Sequence, residues 1–195
     1  MQYGHAATAM SESYAGRSKA DMLEVLDQEK GLALADALTE AGERIASGEK
    51  VSGPVADRCR AAATEFSNRY AGTYLGKREL RALVANPRLQ VYEDPKAFLT
   101  CNHDVFTALC NPDRGRGRDA TRAAPDHSWC HPACANISRT DSQIASLRCE
   151  VVRIDADTEA GLDPYPIAAR EQQRKTHLTE IIRRHEAQPP AAPDP

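Results

Sequence analysis

The chain has 195 residues, a length that suits one domain, or one compact domain with an appendage, and excludes a large multidomain protein. Leu, Ile, Val and Phe account for only 32 residues, so alanine dominates the 41% hydrophobic content and the core must be thin. A net charge of −3 excludes a uniformly basic nucleic-acid sleeve, and no run of about 20 apolar residues predicts a membrane span. We expect a cytoplasmic chain without contact to a membrane, whose cysteines are thiols or metal ligands.

The predicted fold class is mainly α, and the first helical pattern is the longest. It begins after Ser18-x-x-Asp21, which offers an N-cap, and continues to Gly48 as one helix or as two helices broken near Gly31. Eight residues of the range 21–49 are acidic and two are basic. Such a face is repelled by a phosphate backbone, so this helix is expected to meet protein or solvent.

Two shorter helices and a brief β-hairpin are predicted next. Gly53-Pro54 starts a second helix that runs to Gly72, because proline suits the first helical position. The pattern of Lys77–Ala85 predicts a third helix. Residues 89–92 and 97–99 are strand-like but short, so at most one short β-hairpin is expected among the helices.

A helical hairpin is predicted near the C-terminus, over residues 140–187. Thr140-x-x-Gln143 forms a capping box at its start. Apolar stripes on its two helices are expected to face each other, with Ile144, Leu147, Val151 and Ile154 on the first and Leu178, Ile181 and Ile182 on the second. Residues 188–195, rich in Pro and Ala, are expected to be a disordered tail.

Between the hairpins, periodicity gives way to an irregular segment rich in Cys and His. Cys101-x8-Cys110 and Cys130-x3-Cys134 form two thiol pairs separated by nineteen residues. A tetrahedral zinc site takes four such ligands, often as two pairs joined by a longer loop. We therefore predict that Cys101, Cys110, Cys130 and Cys134 bind a structural zinc ion that orders this segment.

Other interpretations of the same segment remain open. His103, His127 and His131 could each replace a thiolate, four cysteines can also bind an iron–sulfur cluster, and all the thiols could be reduced and unliganded. Cys59 and Cys149 fall within helical patterns and are predicted to be small buried hydrophobic residues. A set of glycine-separated arginines could follow a phosphate backbone or form a solvated loop: Arg114, Arg116, Arg118 and Arg122.

The opening residues contain a Gly-His pair followed nine residues later by a tyrosine, with a threonine between them: Gly4-His5, Thr8 and Tyr14. This arrangement resembles the end of the catalytic domain of tyrosine site-specific recombinases, the phage-integrase family. The rest of the chain, including the cysteine segment, resembles the long C-terminal extension of certain actinobacterial integrase-like proteins. The resemblance implies that Tyr14 is the nucleophile of a 3′-phosphotyrosyl bond, that His5 donates to a phosphate oxygen, and that this chemistry needs no cofactor.

The chain also departs from the family's pattern. The family uses two arginines, a lysine and usually a His-x-x-Arg element upstream of the Gly-His pair, and no His-x-x-Arg occurs in this sequence. Charge neutralisation around the phosphate is essential for attack by a phenol, so we expect the chain alone to be inactive. Its expected partners are DNA and either other recombinase protomers or an upstream catalytic segment.

These interpretations divide the chain into five segments and leave two other functions open. The segments are the end of a recombinase domain (1–17), a helical region (18–86), a zinc segment (87–139), a helical hairpin (140–187) and the tail (188–195). The leading function is DNA integration and recombination. The alternatives are a zinc-stapled helical DNA-binding or accessory protein without catalysis, in which Tyr14 is incidental, and a structural interaction module that uses the acidic helix and the apolar stripe beginning at Ile144.

Overall fold

The structure, a computed structural model, describes residues 4–111, 124–161 and 164–188, and side chains within the first helix from Asp21 onward. It confirms a mainly helical chain. Five α-helices lie in these ranges: α1 (Gly4–Ala46), α2 (Ala56–Tyr70), α3 (Lys77–Ala85), α4 (Asp141–Ala160) and α5 (Tyr165–Ala187). Within the same ranges, no helix is both long enough and apolar enough to cross a bilayer.

The first helix is longer than its sequence pattern predicted. It runs without interruption for 43 residues from Gly4, so Ser18 lies inside the helix and is not its N-cap. Gly31 is not a break, because the helix continues through it. A Cβ atom on Gly31 would lie 2.9 Å from the Cβ of Leu80, so this glycine allows α1 to approach α3 closely. The missing side chain thus serves packing between helices, a role that a local pattern does not reveal.

The expectation of at most one β-hairpin was wrong. Four antiparallel strands form one sheet in the order β1-β4-β3-β2: β1 (Val51–Ser52), β2 (Val91–Asp94), β3 (Leu99–Asn102) and β4 (Ile137–Thr140). The predicted hairpin is β2 with β3, and β4 pairs with β3 on its other side. β1 has only two residues and aligns Val51 with Thr140, far along the chain. Two residues carry no detectable periodicity, so this pairing had no local signal.

The turn after β1 requires glycine. Gly53 has φ +106, and a Cβ atom at this position would lie 2.6 Å from the carbonyl oxygen of Ile137. Both the backbone conformation and the closeness of β4 therefore exclude a side chain. α2 begins three residues later, at Ala56, rather than at the predicted Pro54.

Three apolar clusters form the core. The first lies between α1, α2 and α3, around Leu34, Leu38 and Leu83. The second lies on the sheet and includes two of the predicted zinc ligands, Cys101 and Cys134. The third joins α4 to α5 through the two predicted stripes, and its buried members are Ile144, Leu147, Ile154 and Leu178.

The start of α4 has the predicted capping box. The N–H of Gln143 donates to Thr140 Oγ1, and the N–H of Thr140 donates to Gln143 Oε1 at 3.1 Å. The amide of Gln143 also donates to Thr100 Oγ1 at 2.9 Å, so the cap is tied to β3. This bond holds the helical hairpin against the sheet that carries the cysteines.

Candidate functional site

The fold brings the four predicted zinc ligands to one place. Cys101 lies in β3 opposite Ile137 of β4, and Cys110 follows the turns after β3. Cys130 and Cys134 lie in the two turns that precede β4. All four line a small cavity of about 10 Å³, which is about the space that one water molecule needs. Spacing alone predicted the pairs, and the tertiary structure makes them neighbours.

Local hydrogen bonds shape the two turns that carry the second pair. The N–H of Cys130 donates to His127 O at 3.3 Å, and the N–H of Cys134 donates to His131 O at 2.9 Å. Asp126 accepts from the N–H of Ser128 at 2.9 Å and so starts the first turn. Two consecutive short turns can therefore present Cys130 and Cys134 to the same cavity.

The cysteines influence one another electrostatically. Burial, followed by the proximity of the other three thiols, raises the pKa of Cys101 to about 12. Burial, followed by the proximity of Cys134, Asp94 and Cys110, also raises the pKa of Cys130. Burial therefore favours the protonated thiols of Cys101 and Cys130, and a cation would have to compensate the charge of their thiolates.

The group is not arranged as a finished ligand set. Among the described residues, no three His, Cys, Asp or Glu side chains form a group that could hold a metal ion. The donor type is nevertheless one that zinc prefers, since all four thiols line the same small cavity and zinc binds thiolates at about 2.3 Å. Zinc at Cys101, Cys110, Cys130 and Cys134 therefore remains a proposal.

The three histidines considered as replacement ligands occupy different environments. His127 and His131 line the cysteine cavity, but Nδ1 of His127 lies 2.9 Å from Asp94 Oδ2, and Nδ1 of His131 accepts from the N–H of Ala133 at 3.2 Å. His103 is buried, with its ring edge-on to Tyr92 at 6.2 Å, and is not among the cavity's lining residues. His103 therefore lies outside the cavity, whereas His127 and His131 line it together with the four cysteines and use only their Nδ1 atoms in these contacts.

The two remaining cysteines differ from each other. Cys59 is buried in α2, and burial raises the pKa of its thiol, as expected for a small core residue. Cys149 is exposed on α4, so the prediction that it is buried was wrong. It lies between Leu147 and Val151 in sequence, but the helical rotation places it outside the stripe that they share.

A second polar cluster, which sequence analysis missed, joins three distant segments. His185, near the end of α5, is 3% exposed; its Nδ1 lies 2.6 Å from Ser52 Oγ and its Nε2 lies 2.7 Å from Asp141 Oδ1. A carboxylate only accepts hydrogen bonds, so Nε2 carries the proton, and in the neutral ring Nδ1 accepts from the serine hydroxyl. The cluster is a Ser–His–Asp chain whose serine is itself buried.

Lys50 completes this cluster. Its N–H donates to Asp141 Oδ2 at 2.7 Å, and its Nζ donates to the carbonyl oxygens of His185 and Gln188 at the end of α5. Partial burial acts to raise the pKa of Asp141, but the hydrogen bonds from His185 and Lys50 outweigh it and hold the pKa below its ordinary value. The cluster therefore ties β1, α4 and α5 together.

An open groove of about 620 Å³ lies beside both clusters. Ser52 and His185 line one part of it, and His131 and Cys134 line another. Arg139 of β4 also lines the groove and is only 9% exposed. Burial lowers the pKa of this guanidinium, and the nearby Cys130 thiol acts in the opposite direction.

The two predicted catalytic residues lie on α1, in a stretch whose side chains are outside the description. The helix continues through both His5 and Tyr14. Backbone positions nine residues apart in a helix differ by about 13.5 Å along the axis and by about half a turn. The arginine-rich loop at 114–122 and residues 189–195 of the predicted tail also lie outside the described residues. The roles of His5 and Tyr14 therefore stay predictions.

Comparisons with known proteins supply no relative. No protein-family model matches the chain, and neither the curated proteins nor the solved structures contain a match to it.

Proposed function

We propose that the chain is the C-terminal part of a tyrosine recombinase or integrase, continued by a zinc-stapled helical module, and that it acts on DNA in the cytoplasm. The observation that carries the proposal is the spacing of Gly4-His5, Thr8 and Tyr14. One unbroken helix connects this segment to the core that α1 forms with α2 and α3. The nucleophile would then be anchored on an element that the module itself stabilises.

In this proposal Tyr14 attacks the scissile phosphodiester, forms a 3′-phosphotyrosyl bond and releases a 5′-hydroxyl. His5 donates a hydrogen bond to a non-bridging oxygen and so stabilises the transition state. The remaining positive groups come from an upstream segment or from another protomer. Losing one oxyanion donor already costs about a hundred- to a thousandfold in rate, so the chain by itself gives no detectable cleavage.

The test is adduct formation on a suicide DNA substrate by the chain joined to a recombinase segment that carries the arginines and the lysine. A covalent protein–DNA adduct is expected, Tyr14→Phe abolishes it without weakening DNA binding, and His5→Ala slows it. Tyr74→Phe is the matched control, because Tyr74 is 93% exposed after α2. An adduct that survives Tyr14→Phe contradicts the assignment of the nucleophile.

A structural zinc ion at Cys101, Cys110, Cys130 and Cys134 is the second part of the proposal. What supports it is the cavity that all four cysteines line. Zinc would supply the positive charge that keeps the thiolates ionised and would staple the turns before β4 to β3. The ion would have no catalytic task, since the proposed ligand set leaves no open position.

Metal analysis of the purified chain tests this part. We expect about one zinc per molecule, and Cys134→Ser should lower both the metal content and the protease resistance of the segment between β3 and β4. Cys149→Ser is the control, because Cys149 is an exposed cysteine on α4. This variant should change neither the metal content nor the protease resistance. Bound iron together with visible absorbance would show that the four cysteines hold an iron–sulfur cluster and not zinc. A metal-free chain would contradict the proposed metal site.

The helix itself favours a second candidate function, an accessory DNA-binding protein without catalysis. His5 and Tyr14 lie about two and a half turns apart on continuous α1, whereas both must reach one phosphate in the recombinase. Catalysis would therefore require α1 to break between them. If the joined protein binds DNA, retains α1 through residues 5–14 and forms no adduct, the accessory function is the correct one.

A further inference from the structure

We propose that the groove between β4, the turns at 131–134 and the last turns of α5 binds a phosphate group. The groove measures about 620 Å³, a size that is typical of small-ligand sites and exceeds what a single phosphate needs. The inference goes beyond the proposed function, since it holds whether or not Tyr14 attacks DNA.

The charge of the lining is the first reason. Two arginines, three histidines, a serine and a glutamine supply the hydrogen-bonding side chains, and the described residues that line the groove include no Asp or Glu. Arginine binds phosphate oxygens through planar, charge-assisted hydrogen bonds, so a phosphate is the ligand class that fits.

Arg139 is the second and independent reason. Its side chain belongs to a residue that is more than nine-tenths buried, and its Nε has no hydrogen-bond partner within the described part of the chain. A buried cation without compensation is unfavourable, and such groups are normally paired. Because Arg139 lines the groove, an anion held there would supply the missing partner.

The opposite wall completes the site. Arg184 of α5 has a side chain that is 74% exposed, and its Nε donates to Glu180 Oε1 at 2.7 Å. His177 lies two turns earlier on the same helix and also lines the groove. A phosphate between β4 and α5 would therefore meet a buried arginine on one side and an accessible arginine on the other. Ser52 and His185 lie at the groove but are bonded to each other, so they shape it rather than supply free donors.

The Cys130 thiol provides a competing explanation for Arg139. The two groups are close enough to interact electrostatically, so thiolates bound to a metal could compensate the guanidinium without any ligand in the groove. This explanation assigns no role to Arg184 on the far wall. The two explanations can therefore be separated by comparing the two arginines.

The experiment measures binding of inorganic phosphate by calorimetry and of a labelled duplex DNA by fluorescence anisotropy, using the full chain as purified. Arg184→Gln and Arg139→Gln should each weaken phosphate binding about tenfold or more, and Arg139→Lys should restore part of it. Arg183→Gln is the matched control, because Arg183 neighbours Arg184 but does not line the groove. Since Arg184 is exposed, its variant keeps the test valid if Arg139→Gln fails to fold.

The measurements with inorganic phosphate and with duplex DNA also identify the source of the phosphate. If duplex DNA binds, is displaced by phosphate and loses about one unit of salt dependence in Arg184→Gln, the ligand is the nucleic-acid backbone. Binding of phosphate without binding of DNA assigns the groove to a free phosphate or a phosphate monoester. The proposal is overturned if neither probe binds, or if Arg139→Gln lowers the metal content while Arg184→Gln and Arg183→Gln bind phosphate equally well.

Discussion

Nε2 of His185 lies 2.7 Å from Oδ1 of Asp141, and this contact joins the last turn of α5 to the first residue of α4. The polar contact thus joins the two helices at the end of the hairpin opposite its loop. Apolar residues pack the helices together along the rest of their length. The hydroxyl of Ser52 is hydrogen-bonded to the other nitrogen of the same ring, so the hairpin is also attached to β1.

Replacing His185 by Ala should therefore destabilise the chain by about 1–3 kcal/mol, because Ser52 and Asp141 both lose their buried partner. Chemical denaturation monitored by circular dichroism measures this loss. His177→Ala, at an exposed position on the same helix, should stay within about 0.5 kcal/mol of the unmodified chain. Equal effects of the two variants would show that the polar cluster contributes no stability.

The packing of α4 against α5 predicts a larger effect in the apolar cluster. Leu147 is 1% exposed and lies in that cluster, so Leu147→Ala should cost about 2–5 kcal/mol through lost burial and the cavity left behind. Val152→Ala removes an apolar side chain that is 67% exposed on the same helix and should cost less than about 0.5 kcal/mol. A loss below that value for Leu147→Ala would mean that the stripe does not pack against α5.

Two ion pairs of Glu150, one within α4 and one to α5, predict a dependence on pH. Glu150 accepts from Arg153 at 2.8 Å and from Arg174 of α5 at 2.6 Å, and the first of these bonds is the main cause that lowers its pKa to about 2. A carboxylate with a depressed pKa stabilises the fold fully above its ordinary value of 4.5, and this stabilisation disappears as the pH falls toward about 2.

The difference in unfolding free energy between the unmodified chain and Glu150→Gln measures this contribution. It should be about 0.2–1 kcal/mol for each ion pair at neutral pH and should shrink below about pH 4. Glu159→Gln, on the exposed end of α4, is the control. A difference that does not change between pH 7 and pH 3 would contradict the ion pair.

Two glycines should respond in opposite directions to the same substitution. Gly53→Ala forces a side chain into φ +106 and against Ile137 O, and the backbone strain alone should cost about 1–3 kcal/mol. Gly42→Ala in α1 meets no atom within 4 Å and should stabilise the chain by about 0.5–1 kcal/mol, since alanine favours a helix interior. Thermal unfolding of the two variants measures both effects, and shifts of the same sign would contradict the turn geometry.

Local signals in the sequence predicted the helices that bury one face against the core, and in part the residues at which those helices begin and end. The capping box at Thr140 and Gln143 requires only residues three apart, and the stripe from Ile144 to Ile154 requires only helical periodicity, so both were predictable. The spacing of the cysteine pairs was equally visible, because residue spacing is a property of the chain itself. In contrast, Ser18 resembled an N-cap although α1 starts at Gly4, since a capping pattern cannot exclude a helix that begins earlier.

Only the tertiary structure decided the features that join segments far apart in sequence. β1 forms because Val51 aligns with Thr140, and two residues cannot reveal a strand until a partner supplies the hydrogen bonds. The contact of His185 with Ser52 and Asp141 likewise needs three elements at once. Arg139 reads as an ordinary polar residue in sequence, and its burial beside the cysteine cavity follows from strand pairing. Contacts of this kind depend on packing across the whole chain, which no local periodicity records.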